Sequence, residues 1–246
     1  MNVTRILSSL RGILEYQFLA HIVGIWVLLK GGIVNSRGVS LNVKNNRITN
    51  SARYHLFCNK FEENEFDLLD AHFLSNLDVV ELGGGIGFIS CHIGKKLQPK
   101  NKHIVIEPNP FLLDTIESNR ILNNCHFDII NYAYSSTPGL VEFDVSGPFE
   151  SSHIDPSSTN TVQIESINIT QIINQYDLNQ FSLIVDIEGN EFDLLQQELN
   201  ILHLHCPLVM IEFHPRFGPL PPAVSKLKNL GYSSFKNDNV YLFIRN

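Results

Sequence analysis

Short apolar runs and helical patterns alternate along most of this chain. The apolar runs predict buried strands, which cover residues 78–82, 103–107, 127–131, 181–187 and 207–213. Apolar residues spaced by three and four predict the intervening helices, which cover residues 88–97, 111–122, 191–199 and 223–230. Strands that are apolar throughout are typical of parallel sheets buried on both faces. We therefore predict an α/β, Rossmann-like fold with helices on both faces of the sheet.

The two ends of the chain follow other patterns. Apolar residues from Ile6 to Leu29 recur at helical spacing and predict a long amphipathic helix. The alternation of Val39, Leu41 and Val43 with polar residues predicts a short hairpin. The final stretch, SSFKNDNVYLFIRN, predicts two strands joined by a polar turn. With this pair the sheet has seven strands and is mostly parallel, and an antiparallel strand lies at its C-terminal end.

These patterns divide the chain into an N-terminal cap or accessory segment (1–60) and a main domain (61–246). The apolar run from Tyr16 to Leu29 is shorter than the roughly 20 residues that span a membrane. No cleavage site of a signal peptide follows it. We expect a cytoplasmic protein whose N-terminal helix packs on the domain, associates with a second copy or contacts a membrane surface peripherally.

Charge and cysteine spacing exclude several classes of protein. The net charge of −7, with no basic run, argues against nucleic acid as a partner. No close Cys-x-x-Cys pair indicates a zinc site or a disulfide framework. We therefore expect reduced thiols at the four widely spread cysteines: Cys58, Cys91, Cys125 and Cys206.

The segment VVELGGGIGFIS carries a glycine-rich turn between a strand and a helix. Its spacing lacks the third glycine of a dinucleotide fingerprint and the Gly-Lys-Ser/Thr ending of a P-loop. It fits acid-x-Gly-x-Gly-x-Gly, formed by Glu81, Gly83, Gly85 and Gly87. A carboxylate at this place repels a pyrophosphate and attracts the ammonium and sulfonium groups of S-adenosylmethionine. The loop therefore predicts S-adenosylmethionine as the cofactor, with these four residues binding it.

Two further residues are candidates for cofactor contact at the strand ends. Glu107 ends the second predicted strand, where a carboxylate can accept both hydrogens of a ribose diol. Asn131 ends the third strand and faces the same edge of the sheet. We expect Asn131, or the backbone after it, to contact the adenine.

Three acids, Asp186, Glu188 and Glu191, follow the fourth predicted strand within the segment DIEGNEF. They repel one another unless a cation or a proton lies between them. Ligands bind beyond the carboxyl ends of the strands, so Asp186 is predicted beside the sulfonium and the acceptor. For Glu191 the simpler interpretation is that it stabilises the dipole of the following helix.

Methyl transfer to a hydroxyl requires a base that takes up the proton. The catalytic candidates at the strand ends are Asp186, Glu188 and His214. A histidine titrates near neutral pH, which suits this role. Glu212 precedes His214 by two residues and faces the same cleft by strand alternation.

The polar loop from Ser146 to Val162 interrupts the alternation of strands and helices at the place of a substrate lid. It contains His153, which is a second candidate for a base that enters with the lid. Clustered carboxylates can also hold Mg²⁺. No sequence pattern requires a metal, and we predict none.

Five segments in this order resemble the FkbM family of S-adenosylmethionine-dependent methyltransferases: VVELGGGIGFIS, VIEPNP, NYAYSSTPG, LIVDIEGNEFDLL and MIEFHP. The hallmark of that family is Asp-x-Glu-Gly-x-Glu after the fourth strand. Here Asp186, Glu188, Gly189 and Glu191 match it. The resemblance covers the chain from about Phe61 to its C-terminus.

The resemblance implies O-methylation of a hydroxyl on a sugar, glycan, polyketide or other secondary metabolite, so we expect a small-molecule or glycan acceptor. The chain departs from the family at Gly84 and Gly85, where Ala or Asn is usual, and at Glu81, where Asp is usual. These changes are conservative for cofactor binding. Two alternatives stay open: an NAD-dependent oxidoreductase on a Rossmann fold, and a non-catalytic nucleotide-binding module.

Overall fold

A computed structural model describes residues 3–149, 152–155 and 157–245, and it describes side chains from residue 15 onward. The strands are β1 (Ile33–Ser36), β2 (Val39–Asn42), β3 (Asp78–Leu82), β4 (His103–Ile106), β5 (Asp128–Ile130), β6 (Ala133–Tyr134), β7 (Leu140–Asp144), β8 (Thr161–Ile167), β9 (Phe181–Val185), β10 (Leu208–Glu212), β11 (Tyr232–Asn237) and β12 (Val240–Arg245). The helices are α1 (Val3–Leu29), α2 (Asn50–Phe57), α3 (Glu63–His72), α4 (Phe88–Gly94), α5 (Leu113–Leu122), α6 (Ile169–Tyr176), α7 (Glu191–Gln197), α8 (Leu199–His205) and α9 (Leu220–Asn229).

The central sheet has seven strands in the order β11-β12-β10-β9-β3-β4-β5. The pairs formed among β10, β9, β3, β4 and β5 are parallel. Strand β12 pairs antiparallel with both β10 and β11, so it alone runs against the other strands of this sheet. The predicted seven-stranded, mostly parallel sheet with an antiparallel C-terminal strand is confirmed.

Two apolar layers cover the two faces of the sheet, because neighbouring strand residues point to opposite sides. Val79 packs in one layer with Phe66 of α3 and Ile116 of α5. Val80 packs in the other layer with Leu194 of α7. Helices therefore lie on both faces, as the Rossmann-like class I methyltransferase architecture requires.

The chain changes direction within the sheet between β3 and β9. From β3 it proceeds to β4 and β5 on one side, and it then crosses to β9 and β10 on the other. Ligands of open α/β sheets bind beyond the carboxyl ends of the strands at such a switch point. The sheet order therefore places a binding site where Leu82 and Val185 end their strands.

The region between β5 and β9 contains more regular structure than the sequence predicted. Strands β6, β8 and β7 form a separate three-stranded sheet. In β8, Ile164 and Ser166 are buried while Gln163 and Glu165 are exposed. This alternation with period two is typical of a half-buried strand, and we did not assign it because the polar loop before it dominated the pattern.

The N-terminal hairpin forms as predicted, with β1 antiparallel to β2. Val39 and Leu41 are fully buried in the same apolar layer as Phe66 of the main domain. The division at residue 60 stays a prediction, since this layer is continuous across it.

Helix α1 packs on the rest of the protein through its small side chains. Small or short residues face α2: Ala20 and Val27 are buried, and a Cβ on Gly24 would lie 2.6 Å from Asn50. The predicted apolar stripe is instead exposed at Phe18, Ile22, Ile25, Trp26 and Leu29. The close approach of two helices requires small side chains, so the larger ones are left outside. The side chains of Ile6, Leu10, Ile13 and Leu14 lie outside the described residues. Within the described part of the chain, no helix is both long and apolar enough to cross a membrane.

Candidate active site

A cavity of about 510 Å³ opens at the carboxyl ends of the central strands. Its walls come from the residues that follow β3, β4, β9 and β10, together with the start of α3. The volume lies in the range of small-molecule sites, which is roughly 300–1,000 Å³. The cavity occupies the switch point that the sheet order defines.

The glycine loop after β3 forms one wall of this cavity. Gly83, Gly85 and Gly87 all have positive φ values, of 89°, 54° and 78°. At Gly83 a Cβ would lie 1.8 Å from the main-chain oxygen of Asp186, so no other residue fits there without a shift of the backbone. The Asp186 N–H in turn donates to the Leu82 carbonyl at 2.9 Å. The two loops that flank the switch point therefore touch backbone to backbone.

Glu81 lies beneath this loop with its carboxylate already engaged. Its oxygens accept from the Ser90 hydroxyl at 2.9 Å and lie 3.3 Å from Nε2 of His103. The residue lines the cavity, but only 2 % of it is exposed. A carboxylate so placed adds negative potential near the loop, whereas its direct pairing with a cofactor ammonium stays a prediction.

Glu107 lies on the cavity wall beside the glycine loop. Its two oxygens accept from the backbone N–H groups of Gly85 and Asn109, each at 2.7 Å. Burial raises the pKa of Glu107 to about 7, although these two N–H groups oppose the shift. Each carboxylate oxygen keeps a lone pair for a further donor, so the residue can still accept the hydrogens of a diol.

Asn131 and Gly87 are placed behind the cavity wall. The Asn131 amide donates to the carbonyls of Glu107 and Pro108 at 2.8 and 3.0 Å, and the residue does not line the cavity. Gly87 begins α4 and packs against Ile116. Both residues shape the loops that carry the wall. Direct contact of these two residues with the cofactor stays a prediction.

Five carboxyl groups line the opposite end of the cavity: Glu62, Glu65, Asp186, Glu188 and Glu212. Burial, together with the charge of Glu212, raises the pKa of Glu65 to about 8. Burial also holds the pKa of Asp186 well above its usual value, with added repulsion from Glu212 and Glu188. This end of the cavity, which we call the acidic end, favours a cation or bound protons.

His214 is fixed beside the acidic end by carboxylates on both sides of its ring. Its Nδ1 lies 2.8 Å from Glu191, which is fully buried and also accepts from the Gly189 N–H at 3.0 Å. Its Nε2 lies 3.3 Å from Glu188 and 3.9 Å from Asp186. Burial lowers the pKa of His214, but its hydrogen bond to the Glu191 carboxylate and the carboxylate charges outweigh this effect, so the pKa is raised. His214 does not itself line the cavity.

The three acids after β9 have separate places. Asp186 and Glu188 line the cavity, whereas Glu191 points to His214. Glu188 adopts a φ of 50° and accepts from the Arg216 guanidinium at 2.8 Å. Glu191 begins α7, as predicted, but its carboxylate holds an imidazole. This contact connects the start of α7 with the loop after β10, and no local sequence pattern predicts it.

The loop that we predicted as a lid borders the cavity through Phe149, Ser152 and Ile154. Residues 150, 151 and 156 of this loop lie outside the described residues. His153 does not line the cavity; its ring lies 5.8 Å from that of Phe217. The loop therefore presents mainly apolar side chains to the cavity.

Sequence reasoning missed Glu62, Glu65 and Asn239 as wall residues. The two glutamates lie at the start of α3, where acids ordinarily stabilise a helix dipole. Asn239 lies in the final turn and donates to Glu212 at 2.8 Å. A helix packed next to β11 brings the glutamates to the strand ends, which is information that the local pattern lacks.

The chain matches a family model described as the methyltransferase FkbM domain over residues 83–234. No curated protein matches it significantly. Solved structures with a similar fold include a precorrin-6y methyltransferase from Geobacter metallireducens, with 12% identity over 70% of this chain and 82% of that one at a TM-score of 0.40. Another is a methyltransferase from Pyrococcus furiosus, with 12% identity over 74% and 81% at a TM-score of 0.39. Fibrillarin from Aeropyrum pernix, solved with natively bound S-adenosyl-L-methionine, has 8% identity over 68% and 64% at a TM-score of 0.39.

The family model covers more than half of the chain, and it includes the glycine loop from Gly83, the acids after β9 and His214. The structural neighbours have low sequence identities and low TM-scores. The family assignment therefore rests on the family model. The sheet order with its single antiparallel strand agrees with it. The chain therefore belongs to the FkbM family of methyltransferases, and its cofactor is S-adenosylmethionine.

Proposed function

We propose that this S-adenosylmethionine-dependent methyltransferase is an O-methyltransferase that modifies a hydroxyl of a sugar, glycan or secondary metabolite. The observation that carries the proposal is the placement of His214, with one ring nitrogen on buried Glu191 and the other beside Asp186 and Glu188. An alcohol loses its proton as its oxygen is methylated, so the acceptor site needs groups that accept or displace a proton.

The cofactor fits the end of the cavity formed by the glycine loop. Gly83, Gly84 and Gly85 line it without side chains, and Glu107 presents a buried carboxylate next to them. These residues would hold the nucleoside part, with Glu107 accepting from the ribose diol. When bound, S-adenosylmethionine supplies an electrophilic methyl group and a neutral thioether as the leaving group.

The acidic end is the proposed place of the acceptor. Asp186 and Glu188 face the cavity, and Nε2 of His214 lies directly behind them. The pKa values of all three groups are raised, those of the carboxyls by burial and that of His214 by its carboxylate neighbours. A raised pKa makes a carboxylate or an imidazole a stronger base, which suits these groups to take up the proton of a hydroxyl.

Apolar side chains also line the cavity. Phe143, Phe149 and Ile154 line it, and each of the two phenylalanines is almost fully buried. A wall of this kind excludes water from the acceptor oxygen, which strengthens the electrostatic interactions within the site. It also leaves room for an acceptor with an apolar face, such as the ring of a sugar.

Methyl transfer from labelled S-adenosylmethionine tests the proposal directly. The purified chain is assayed with a panel of glycosides and hydroxylated metabolites, each paired with an analogue in which the hydroxyl is replaced by hydrogen or by an amine. We expect one methyl group on an oxygen, located by mass spectrometry and NMR, and no product from the deoxy analogue.

Exposed Asp128, which lies on β5 outside the cavity, provides a matched control. Its replacement by asparagine is expected to leave the rate unchanged, whereas His214→Gln is expected to lower it at least a hundredfold. Preferred methylation of the amine analogues, with the alcohols unreactive, contradicts O-methylation while leaving the cofactor assignment intact.

A further inference from the structure

We propose that Asp186, Glu188 and His214 bind a divalent cation at the acidic end of the cavity, and that this cation holds the acceptor hydroxyl. The inference rests on the proposed O-methylation for the role of the cation, but not for its binding. It reverses the expectation from the sequence, in which no spacing pattern required a metal.

The distances between the three groups suit one ion. One potential ligand atom from each residue lies within 4.8 Å of the other two. His214 Nε2 is 3.3 Å from a Glu188 oxygen and 3.9 Å from Asp186 Oδ1. Six ligands about 2.1 Å from a small divalent cation lie about 3 Å from their neighbours and about 4.2 Å from the ligand opposite. The distance between His214 and Glu188 is therefore close to that of neighbouring ligands, and the distance between His214 and Asp186 lies between the two values.

The imidazole of His214 is positioned by a carboxylate, as is usual for a histidine that binds a metal. A ligating histidine usually donates its second ring N–H to a carboxylate, which fixes the ring and makes the ligating nitrogen more basic. Buried Glu191 occupies this position on Nδ1 of His214 at 2.8 Å. Nε2 is thereby directed at Asp186 and Glu188, with its lone pair available once its proton is displaced.

The side chain of Asp186 gives a second, independent observation that favours a cation. Its Oδ1 atom is shielded from solvent, although 42 % of the side chain is exposed, and among the described residues this atom has no hydrogen-bond partner. A carboxylate oxygen that is shielded from water and lacks a partner is unfavourable. The nearest cationic group is His214 at 3.9 Å, which is too far for a hydrogen bond. A cation between the two satisfies this oxygen.

The charges around the cluster also favour a cation. Glu212, Glu62 and Glu65 line the same end of the cavity. Among the described residues, the guanidinium of Arg216 donates to Glu188 at 2.8 Å. A doubly charged ion offsets the repulsion that one guanidinium and one imidazolium leave uncompensated.

The ion restricts the class of acceptor. Three protein ligands leave about three positions open on a six-coordinate cation. An acceptor with two adjacent oxygens, such as a vicinal diol, can fill two of them and is held more firmly than a single alcohol. A divalent cation lowers the pKa of a bound hydroxyl, so the proton is released to water and the oxygen remains as the nucleophile.

Binding of Mn²⁺ tests the site without any need for turnover. The full-length protein is freed of metal with a chelator and titrated with Mn²⁺ in the presence of S-adenosylhomocysteine. Loss of the electron paramagnetic resonance signal of free Mn²⁺ measures binding, and calorimetry gives the stoichiometry. We expect one Mn²⁺ per chain, with affinity lowered at least tenfold in Asp186→Asn and by 10–100-fold in Glu191→Gln.

Glu117→Gln serves as the control, since Glu117 pairs with Arg120 on α5 and lies outside the cavity. It is expected to bind Mn²⁺ as the unaltered chain does. Retained affinity for S-adenosylhomocysteine shows that each variant is folded. Equal affinity of Asp186→Asn and the unaltered chain for Mn²⁺, or the absence of Mn²⁺ binding, overturns the site.

The two proposals fail in different ways. If the protein binds no Mn²⁺ and still methylates an alcohol in excess chelator, the cation site is wrong and O-methylation stands. If one Mn²⁺ binds per chain in a way that depends on Asp186, but only amines are methylated, the cation site stands and O-methylation is wrong. If both proposals hold, a vicinal diol reacts at least tenfold faster than its monodeoxy analogue, and the chelator abolishes this preference.

Discussion

The two ends of the cavity are built in different ways. The cofactor end consists of a continuous stretch after β3, in which glycines remove side chains and backbone N–H groups contact one acid, Glu107. The acidic end is assembled from α3, from the loops after β9 and β10, and from the final turn. The first end offers space and backbone donors, and the second offers a high density of carboxylates.

We expect this difference to separate binding of the cofactor from the methyl-transfer step. The glycine loop touches the loop after β9 at one point, where Gly83 meets the main chain of Asp186. A change at the cofactor end is therefore expected to alter affinity for the cofactor. A change at the acidic end is expected to alter turnover and leave that affinity nearly intact.

Asp186→Asn gives the largest expected effect and tests this separation most directly. We expect the rate of methyl transfer to fall by roughly 10²–10⁴-fold, since the change removes the charge that faces the acceptor. The Kd for S-adenosylhomocysteine, measured by calorimetry, is expected to change less than threefold, because the main-chain contact of residue 186 with the glycine loop remains. A parallel loss of cofactor affinity contradicts the division of the cavity into two ends.

Gly83→Ala tests the point where the two ends meet. The added Cβ collides with the Asp186 carbonyl at a φ of 89°, so the backbone of one loop must move. We expect the free energy of unfolding to fall by about 3 kcal/mol, together with a loss of cofactor binding. Chemical denaturation measures the first and calorimetry the second. Gly139→Ala is the control, because a Cβ there meets nothing within 4 Å.

Substitution of Glu107 is expected to have the smallest effect, which is a pH-dependent change in the affinity for S-adenosylhomocysteine. Because burial raises the pKa of Glu107 to about 7, its carboxylate gains a proton as the pH falls through 7. The affinity for S-adenosylhomocysteine is therefore expected to decrease about tenfold between pH 8 and pH 6. Glu107→Gln should bind about tenfold more weakly at pH 8 and lose this pH dependence. An unchanged pH profile in the variant shows that another group titrates.

Much of the fold was available from periodicity. The apolar runs predicted β3 and β9 to within two residues at each end, and the final hairpin predicted the antiparallel strand. The main exception is the region of β6, β7 and β8. These strands form a separate sheet whose pairing is set by tertiary contacts, and the polar loop between β7 and β8 obscures the alternation of β8.

Local chemistry determined the cofactor end. Glycines at alternating positions after a buried strand predict a tight loop. Glycine lacks a Cβ and tolerates the positive φ values that this loop requires. Asn131 shows the limit of such reasoning. It lies at the predicted strand end, yet its amide turns to the backbone of Glu107 and Pro108, which the sequence order does not reveal.

The sequence by itself determined the α/β class, the glycine loop and the identity of the acids after β9, since each is encoded within a few neighbouring residues. Only the tertiary structure decided that Glu65 meets Glu212 and that Glu191 holds His214. It also decided that α1 turns its large apolar side chains outward. The physical reason is that carboxylate repulsion, burial and helix contact depend on distance in space, and these partners are 23 to 147 residues apart along the chain.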